Sequence, residues 1–466
     1  MIWITIDRTL DIPLTRQVYE QLRTQILNGE PVAGERLLPI RELASHVGVS
    51  RNVVVEAYEQ FLAEGYIETR PGSGTYVAEG AYLSQQARKD YLSFFEMQHL
   101  KEETNDFIDF RSGIPALDMF PRHIWGQTAK RVCKETPHSI FGYDYPEGRI
   151  ELRHILSRYL KRTRGVHCHP DQLLITSGAT QALSLIAKLL LSPRDKVMIE
   201  DPITREIQTI FSSTGAVLHP VPVDEQGMKT DLIPLNKKPR FIFVTPSHQF
   251  PLGGTLPIQR RIQLIEFARR VDCFIVEDDY DSEFRYQEVP IHSLQGLDPN
   301  RVIYIGTFSK ILSPALRLGY LVLPPSLIKR CKDLKWFTDL HAPSLQQLTL
   351  ARFIDERHLE RHIRKMKKIY KARRDHLKKC LVEQFGTKVK ISGDSTGLHL
   401  VAEFQNIEFS NEKVQEIMVK YKVKIYPVEL QAIRKGVHQN KIILGYGNLT
   451  IEEIGEGIHR LKSALI

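Results

Sequence analysis

Five short apolar runs, at 173–176, 196–199, 241–245, 273–276 and 302–305, limit what this chain can fold into more than any other feature of its sequence. Each is rich in β-branched, aromatic or leucine side chains, lacks the alternation of a half-exposed strand, and is separated from the next by helical stretches. Strands that are apolar on both sides have to be covered on both sides, which a mostly parallel sheet between two helix layers achieves. The pattern predicts an α/β domain over 107–466, with a smaller C-terminal α+β subdomain from about 337, where long helices precede a strand-and-helix pattern.

The first 80 residues obey a different period. Leu14, Val18, Leu22 and Ile26 recur every four residues and mark one face of a helix that Gly29 and Pro31 end. A second helix is expected from about 40 to 47, with Gly48 as its left-handed cap, and a third from Ser50 as N-cap through residue 64. Residues 66–69 and 75–78 read as strands joined through Arg70, Pro71, Gly72, Ser73 and Gly74, whose glycines permit the positive φ of a tight hairpin. Three helices and a hairpin make a winged helix-turn-helix over 1–80. The polar stretch 81–106, with scattered aromatics, reads as a linker that includes a partial helix.

With 42% hydrophobic and 26% charged residues, the chain has the balance of a globular protein rather than a disordered or membrane one. Its most apolar stretch, 182–191, is interrupted by Lys188, and Asp7, Arg8 and Asp11 stand where a signal peptide needs an apolar core. A cytoplasmic protein is expected. Cys133, Cys168, Cys273, Cys331 and Cys380 have no CxxC spacing, and the adjacent His167, Cys168 and His169 cannot easily converge on one ion, so neither a disulfide framework nor a metal site is expected. The net charge of +9 does not come from the first 80 residues, which hold seven Arg against eleven Asp and Glu. Much of the excess lies at 357–379, RHLERHIRKMKKIYKARRDHLKK, read as a long helix with a solvated charged face rather than a DNA contact.

In a helix-turn-helix the start of the third helix reaches base edges, while the helix before it and nearby loops hold phosphates. Ser50, Arg51, Asn52 and Val53 occupy that start. Arg51 can bond guanine with both nitrogens or clamp a phosphate, Asn52 can read adenine or bond the backbone, and Val53 can touch a thymine methyl or pack. Arg41 is placed for a phosphate, and Gly72, Ser73 and Gly74 let the wing tip approach the minor groove. The segment 34–77, GERLLPIRELASHVGVSRNVVVEAYEQFLAEGYIETRPGSGTYV, resembles the GntR family of winged-helix repressors. The resemblance implies that Arg41, Ser50, Arg51, Asn52 and Gly72 meet DNA. Protein contact, the competing use of such a domain, gives no reason for an exposed Arg and Asn at that helix start.

Three ends of the predicted strands collect polar residues. Thr307-Phe-Ser-Lys310 follows one run, and Arg317 comes seven residues later. Glu277-Asp-Asp-Tyr280 follows another, and three adjacent carboxylates are costly unless a cation joins them. Thr176-Ser-Gly-Ala-Thr-Gln181 lies between a strand and an apolar helix, where N–H groups and hydroxyls can cradle an anion. A lysine for a Schiff base, a carboxylate for a pyridine nitrogen, a phenol and a phosphate cradle are what a pyridoxal phosphate site needs. Metal binding by the acidic cluster competes, but no histidine stands at ligand spacing and Lys310 would be unexplained.

These motifs resemble fold-type I pyridoxal phosphate enzymes, the aspartate aminotransferase superfamily. The resemblance implies that Lys310 forms the internal aldimine, Asp278 binds the pyridine nitrogen, and Tyr280 donates to the phenolic oxygen, while Ala179, Thr180, Thr307, Ser309 and Arg317 hold the phosphate. Tyr143, in YDYPEG at 143–148, matches the tyrosine offered across a dimer interface to the neighbouring phosphate, with Tyr145 as the alternative.

A winged helix joined to such a domain is the arrangement of the MocR/GabR family of bacterial transcription regulators, which SHQFPLG at 247–253 and EDDYDSEFRY at 277–286 also resemble. This implies a homodimer that binds operator DNA and senses a small amine or amino acid, taken up as an external aldimine at Lys310, through a shift of its DNA-binding heads. Three departures stand out. Thr204 replaces an aromatic that stacks on the pyridine, and Phe250 replaces an Asn, leaving His248 or Gln249 to contact the phenolic oxygen. Lys441 is the nearest match to the Arg that grips a substrate carboxylate. They favour sensing over turnover. An active aminotransferase with a fused DNA-binding module is the alternative, and a domain that has lost its cofactor and only dimerises is a third reading.

Overall fold

The computed structural model describes residues 4–82, 107–234, 236–286 and 291–466. They form two compact units, 4–82 and 107–466. The linker expected over 81–106, with its partial helix, lies outside the described residues apart from Ala81 and Tyr82.

In the first unit, α1 (Leu14–Leu27) buries Val18, Leu22 and Ile26 on its apolar face. Helix α2 (Ile40–Val47) ends at Gly48, whose φ of 72° is the left-handed cap the sequence predicts. Helix α3 (Arg51–Ala63) buries Val54, Ala57, Tyr58 and Phe61, a helical stripe that closes the core, with Tyr19 stacked on Phe61 at 4.6 Å. Ser50 is the N-cap residue of α3, but its hydroxyl makes no cap bond. The hairpin pairs β1 (Ile67–Arg70) with β2 (Gly74–Val77), one residue displaced from the sequence reading because Gly74, at φ 126°, pairs with Arg70.

The second unit begins with β3 (Ile108–Asp109), α4 (Arg122–Glu135) and α5 (Ile150–Arg164). Strand and helix then alternate through β4 (Leu173–Thr176), α6 (Ala179–Leu190), β5 (Lys196–Asp201), α7 (Arg205–Ser212), β6 (Val217–Asp224), β7 (Gly227–Met228), β8 (Phe241–Val244), α8 (Ile258–Val271) and β9 (Phe274–Asp279). Strands β10 (Val302–Thr307) and β11 (Gly319–Val322) complete a sheet of order β4-β11-β10-β9-β8-β5-β6-β7. The five apolar runs are β4, β5, β8, β9 and β10; the last four pair in parallel, and β11 lies antiparallel between β10 and β4. Both faces are dry. Ile303 and Ile305 pack with α6 and α7, while Tyr304, on the opposite side, packs with α5. Sequence reasoning missed β6, which carries Pro220 and Pro222, and β11.

Helices α9 (Ile328–Asp339) and α10 (Ser344–Asp355) pack on the two faces of this sheet, through Cys331 and through Leu350 and Phe353. The long α11 (His358–Phe385) leads to a second sheet with β12 (Val389–Ser392), β13 (His399–Phe404), α12 (Asn411–Tyr421), β14 (Val423–Lys424), β15 (Tyr426–Pro427), β16 (Lys441–Gly445) and α13 (Ile451–Leu465). Its order is β12-β13-β16-β15, antiparallel throughout. Met366, Tyr370 and Leu377 of α11 join Leu400, Phe404, Leu444 and Ile458 in one core. Ile108 and Phe110 belong to the same core, and β3 pairs in parallel with β14, so the smaller subdomain includes the first residues of this unit. Arg361, Arg364, Lys365, Lys368 and Lys371 lie on the exposed face of α11. No described helix is long and apolar enough to cross a membrane.

Candidate DNA-reading helix and cofactor site

The tight turn between α2 and α3 presents Ser50, Arg51 and Asn52 to solvent, and Arg41 is exposed on the first turn of α2. Neither Arg41 nor Arg51 has an ion-pair or hydrogen-bond partner among the described residues, so both guanidinium forks are available to an anion. Val53 is half-buried against the core, which favours packing over base contact. Gly72, at φ 72°, tops the hairpin, where the Ser73 N–H donates to the carbonyl of Arg70. Sequence reasoning missed Arg36, which bridges to Tyr76 and passes so close to Gly74 that a Cβ there would stand 2.7 Å from its Nε.

In the second unit, strand register builds the candidate cofactor site. Gly319 of β11 pairs with Thr176 of β4 on one side and with Thr307 of β10 on the other, so the loops after β4 and β10 and the approach to β11 share one sheet end. Open sheets bind ligands at such ends. There Arg317, in a left-handed conformation at φ 49°, donates to the Ser177 carbonyl, and a Cβ at Gly178 would stand 3.2 Å from its guanidinium. Ala179 and Thr180 open α6, an N-terminus with no side-chain cap. The Thr307 hydroxyl donates to Ser309 Oγ at 3.1 Å. The predicted cradle residues are thus gathered at one place.

The acidic triplet is resolved by strand alternation. Glu277 accepts the N–H groups of Leu294 and Gln295, both at 3.0 Å, and Asp279 pairs with Arg164 at 2.6 Å and accepts the Tyr304 hydroxyl. Asp278, between them, is buried with no partner at Oδ1. Burial and the charges of Asp279 and Asp281 push its pKa up to about 7. Arg164, the cation that answers the triplet from α5, was not legible as such because its partner lies 115 residues away. The amine of Lys310 donates to the Gly113 carbonyl at 2.5 Å, and burial holds its pKa below that of an ordinary lysine. Tyr280 donates to the His248 carbonyl at 2.9 Å.

Other candidates fall elsewhere. Gln249 donates to the carbonyls of Pro202 and Phe250 and accepts from Leu252, so its amide is consumed by the turn and only His248 remains for a ligand contact. Thr204 caps α7, accepting the Ile207 N–H at 3.3 Å. Lys441 pairs with Glu403 at 3.9 Å across β13 and β16, four register positions from the His399–Gly445 pair. The nearer position on that face, Ile443, packs with Val401, Val428 and Phe250. Lys441, expected to grip a ligand carboxylate, thus has a cross-strand carboxylate beside it. Tyr143 is 85% exposed and Tyr145 is exposed as well.

Residues 105–461 match the family model of aminotransferase class I and II, and residues 14–77 that of the bacterial regulatory proteins of the gntR family. The chain is 35% identical over 475 residues to the probable rhizopine catabolism regulatory protein MocR of Rhizobium meliloti, covering 99% of this chain and 96% of that one. It is 31% identical over 393 residues to the HTH-type pyridoxine biosynthesis transcriptional regulator PdxR of Corynebacterium glutamicum, covering 83% and 82%. Among solved structures, LysN, the α-aminoadipate aminotransferase of Thermus thermophilus complexed with N-(5'-phosphopyridoxyl)-L-leucine, matches with a TM-score of 0.71 and 27% identity over 77% of this chain and 92% of that one. The chain belongs to the MocR-type HTH transcriptional regulators, in which a gntR-family DNA-binding segment is joined to an aminotransferase class I and II domain.

Proposed function

We propose that this regulator holds pyridoxal phosphate at Lys310 and senses with it a small amine or amino acid, which changes how the winged helices of a homodimer meet operator DNA. Asp278 carries the cofactor assignment: a buried carboxyl lacking a partner at Oδ1 is matched by a pyridine N–H. The donor set fits the rest of the molecule. Arg317, the hydroxyls of Thr307 and Ser309, and the amides of Ala179 and Thr180 suit a phosphate dianion. When bound, the cofactor supplies an aldehyde that condenses reversibly with primary amines.

The chain's own groups do the remaining work. Burial favours the neutral, nucleophilic amine of Lys310, and the Gly113 carbonyl would hold that amine in place until the cofactor is bound. Tyr280 is within the same site to orient a phenolic oxygen, and Arg51, Asn52, Ser50, Arg41 and Gly72 present the contacts for DNA. Exposed Phe141, Tyr143, Tyr145 and Phe337 support a second copy of the chain over this edge, which brings Tyr143 to the partner's phosphate. The pairing of Lys441 with Glu403 supports sensing over steady transamination. The regulator acts in the cytoplasm.

Purified protein given pyridoxal phosphate is expected to develop the visible band of a lysine-bound aldehyde, and Lys310→Ala to lose it. Footprints on genomic fragments, with and without candidate amines, then read the coupling to DNA. Wild-type protein that takes up no cofactor refutes the sensing half, and footprints indifferent to every amine that changes the band refute the coupling.

A further inference from the structure

Behind Tyr280 lies a buried imidazole–carboxylate couple whose histidine is the group this loop leaves for a ligand contact and whose carboxylate has no task above. His248 comes from the turn after β8, Asp281 from the chain just beyond β9, and His399 opens β13. His248 is 1% and Asp281 2% exposed, and His248 Nδ1 lies 3.1 and 3.0 Å from the two carboxylate oxygens. A carboxylate accepts, so Nδ1 carries a proton and the ring is held in one orientation. Tyr280 stacks on the ring with centroids 5.9 Å apart, and His399 stands 4.8 Å away on the smaller subdomain's side. Gly397, at φ +78°, closes the remaining wall, because any Cβ there would overlap both His248 and Asp281. Its carbonyl is fixed by the hydroxyls of Tyr286 and Tyr446, at 2.6 and 2.8 Å.

Every contact of this ring is thus made by protein except one: Nε2 is buried without a hydrogen-bond partner. An apolar side chain would fill the space with no orphaned nitrogen and no buried carboxylate to accompany it. Asp278 Oδ1, orphaned like Asp279 Oδ1 and Ser282 Oγ, lies three residues before Asp281 at the end of β9. A metal is the other ligand to consider, since donor atoms of His248, Asp281 and His399 lie within 4.8 Å of one another. Two of those donors are already engaged: Nδ1 of His248 by Asp281, and Nε2 of His399 by the Pro251 carbonyl at 2.9 Å. A metal could spare these bonds only by taking His248 Nε2 and His399 Nδ1, and it would have to share Asp281 with His248 Nδ1.

We propose that His248, oriented by Asp281, is a positioning residue for the cofactor, its Nε2 meeting the phenolic oxygen that Tyr280 approaches from the other side. This rests on pyridoxal phosphate being the ligand of Lys310. With Phe250 offering no polar atom and Gln249 spent on its turn, His248 is the group from this loop that can make the contact. With both ring nitrogens protonated, an arrangement the Asp281 carboxylate at Nδ1 accommodates, Nε2–H donates to the ionised phenol and stabilises it, so the couple governs both affinity and the colour of the bound cofactor.

The test compares full-length His248→Phe, His248→Gln and Asp281→Asn by equilibrium titration with pyridoxal phosphate, the visible spectrum, and the melting temperature of the protein before loading. His248→Phe is expected to weaken the cofactor about tenfold or more and to move the band to shorter wavelength, the loss of one charge-assisted bond. His248→Gln, which keeps a donor, restores much of both, and Asp281→Asn falls between. The proposal is overturned if His248→Phe leaves spectrum and affinity unchanged, or if Phe and Gln variants lose affinity equally with an equal fall in melting temperature. Stoichiometric zinc uptake that both His248→Phe and His399→Phe abolish overturns it in favour of a metal site. Absence of any band in the wild type sinks the cofactor reading itself.

Discussion

Asp278 shares a strand end with two other acids, yet among the described residues it alone of the three has neither amide nor arginine to answer it: Glu277 has two amides and Asp279, though its Oδ1 is also unpartnered, has Arg164. Burial raises Asp278, Glu277 and Glu200 alike to about 7, from ordinary values near 4. Between those two pH values the folded chain holds protons that the unfolded chain has released, so stability falls as pH rises through the window. The unloaded protein is therefore expected to melt at a lower temperature at pH 8 than at pH 6 in calorimetry. Cofactor should raise the melting temperature more at pH 8, where its pyridine N–H meets an otherwise unpaired charge. Asp278→Asn should flatten part of that slope and weaken pyridoxal phosphate by about 1.5–3 kcal/mol in titration. At the other end of the chain, Arg51→Ala should cost about 1–3 kcal/mol in DNA affinity by gel shift and leave the cofactor band unchanged.

Two glycines show how differently one element tolerates change. A Cβ at Gly48 would meet nothing within 4 Å, so Gly48→Ala carries only the strain of φ 72°, about 1 kcal/mol, and should lower the melting of the winged-helix unit by roughly 4–8 °C. Gly397→Ala has no such room. Elements of this kind were legible from sequence where one local rule decided them. The four-residue stripe of α1, the left-handed stop after α2 and the apolar runs of β4, β8 and β10 each follow from period and capping alone. Strand β6 was not legible because Pro220 and Pro222 argue against a strand, and they are tolerated next to the sheet's edge, where only the two-residue β7 follows. The cradle residues could be named from their motifs, whereas the partners that select among the acids and between His248 and Gln249 are long-range contacts that no local pattern announces. The pairing of Lys441 with Glu403 was not legible for the same reason, being set by cross-strand register.

At the scale of the whole molecule, the assignment of Tyr143 to a neighbouring chain can be separated from a role within its own. If the tyrosine acts across the interface, mixed dimers of Lys310→Ala and Tyr143→Ala chains regain one intact site of two, and titration should recover about half of the wild-type cofactor at the wild-type affinity. A role in the same chain leaves no intact site in any mixture. The two family matches, at 14–77 and 105–461, likewise divide the chain into a gntR-family DNA-binding part and an aminotransferase class I and II part. What joins them enters the second part by way of β3, where the N–H groups of Ile108 and the nearby Phe110 donate to the carbonyls of Lys422 and Lys424. Three residues past Phe110, the Gly113 carbonyl receives the amine of Lys310. The chain that leads in from the DNA-reading half is thus cleated to the smaller subdomain, a short length from the nitrogen that the cofactor must claim and an amine must set free. Under the proposed function the bound cofactor deprives the cleat of that fastening and an amine that takes the aldehyde restores it, so the fastening follows whether the cofactor holds the lysine.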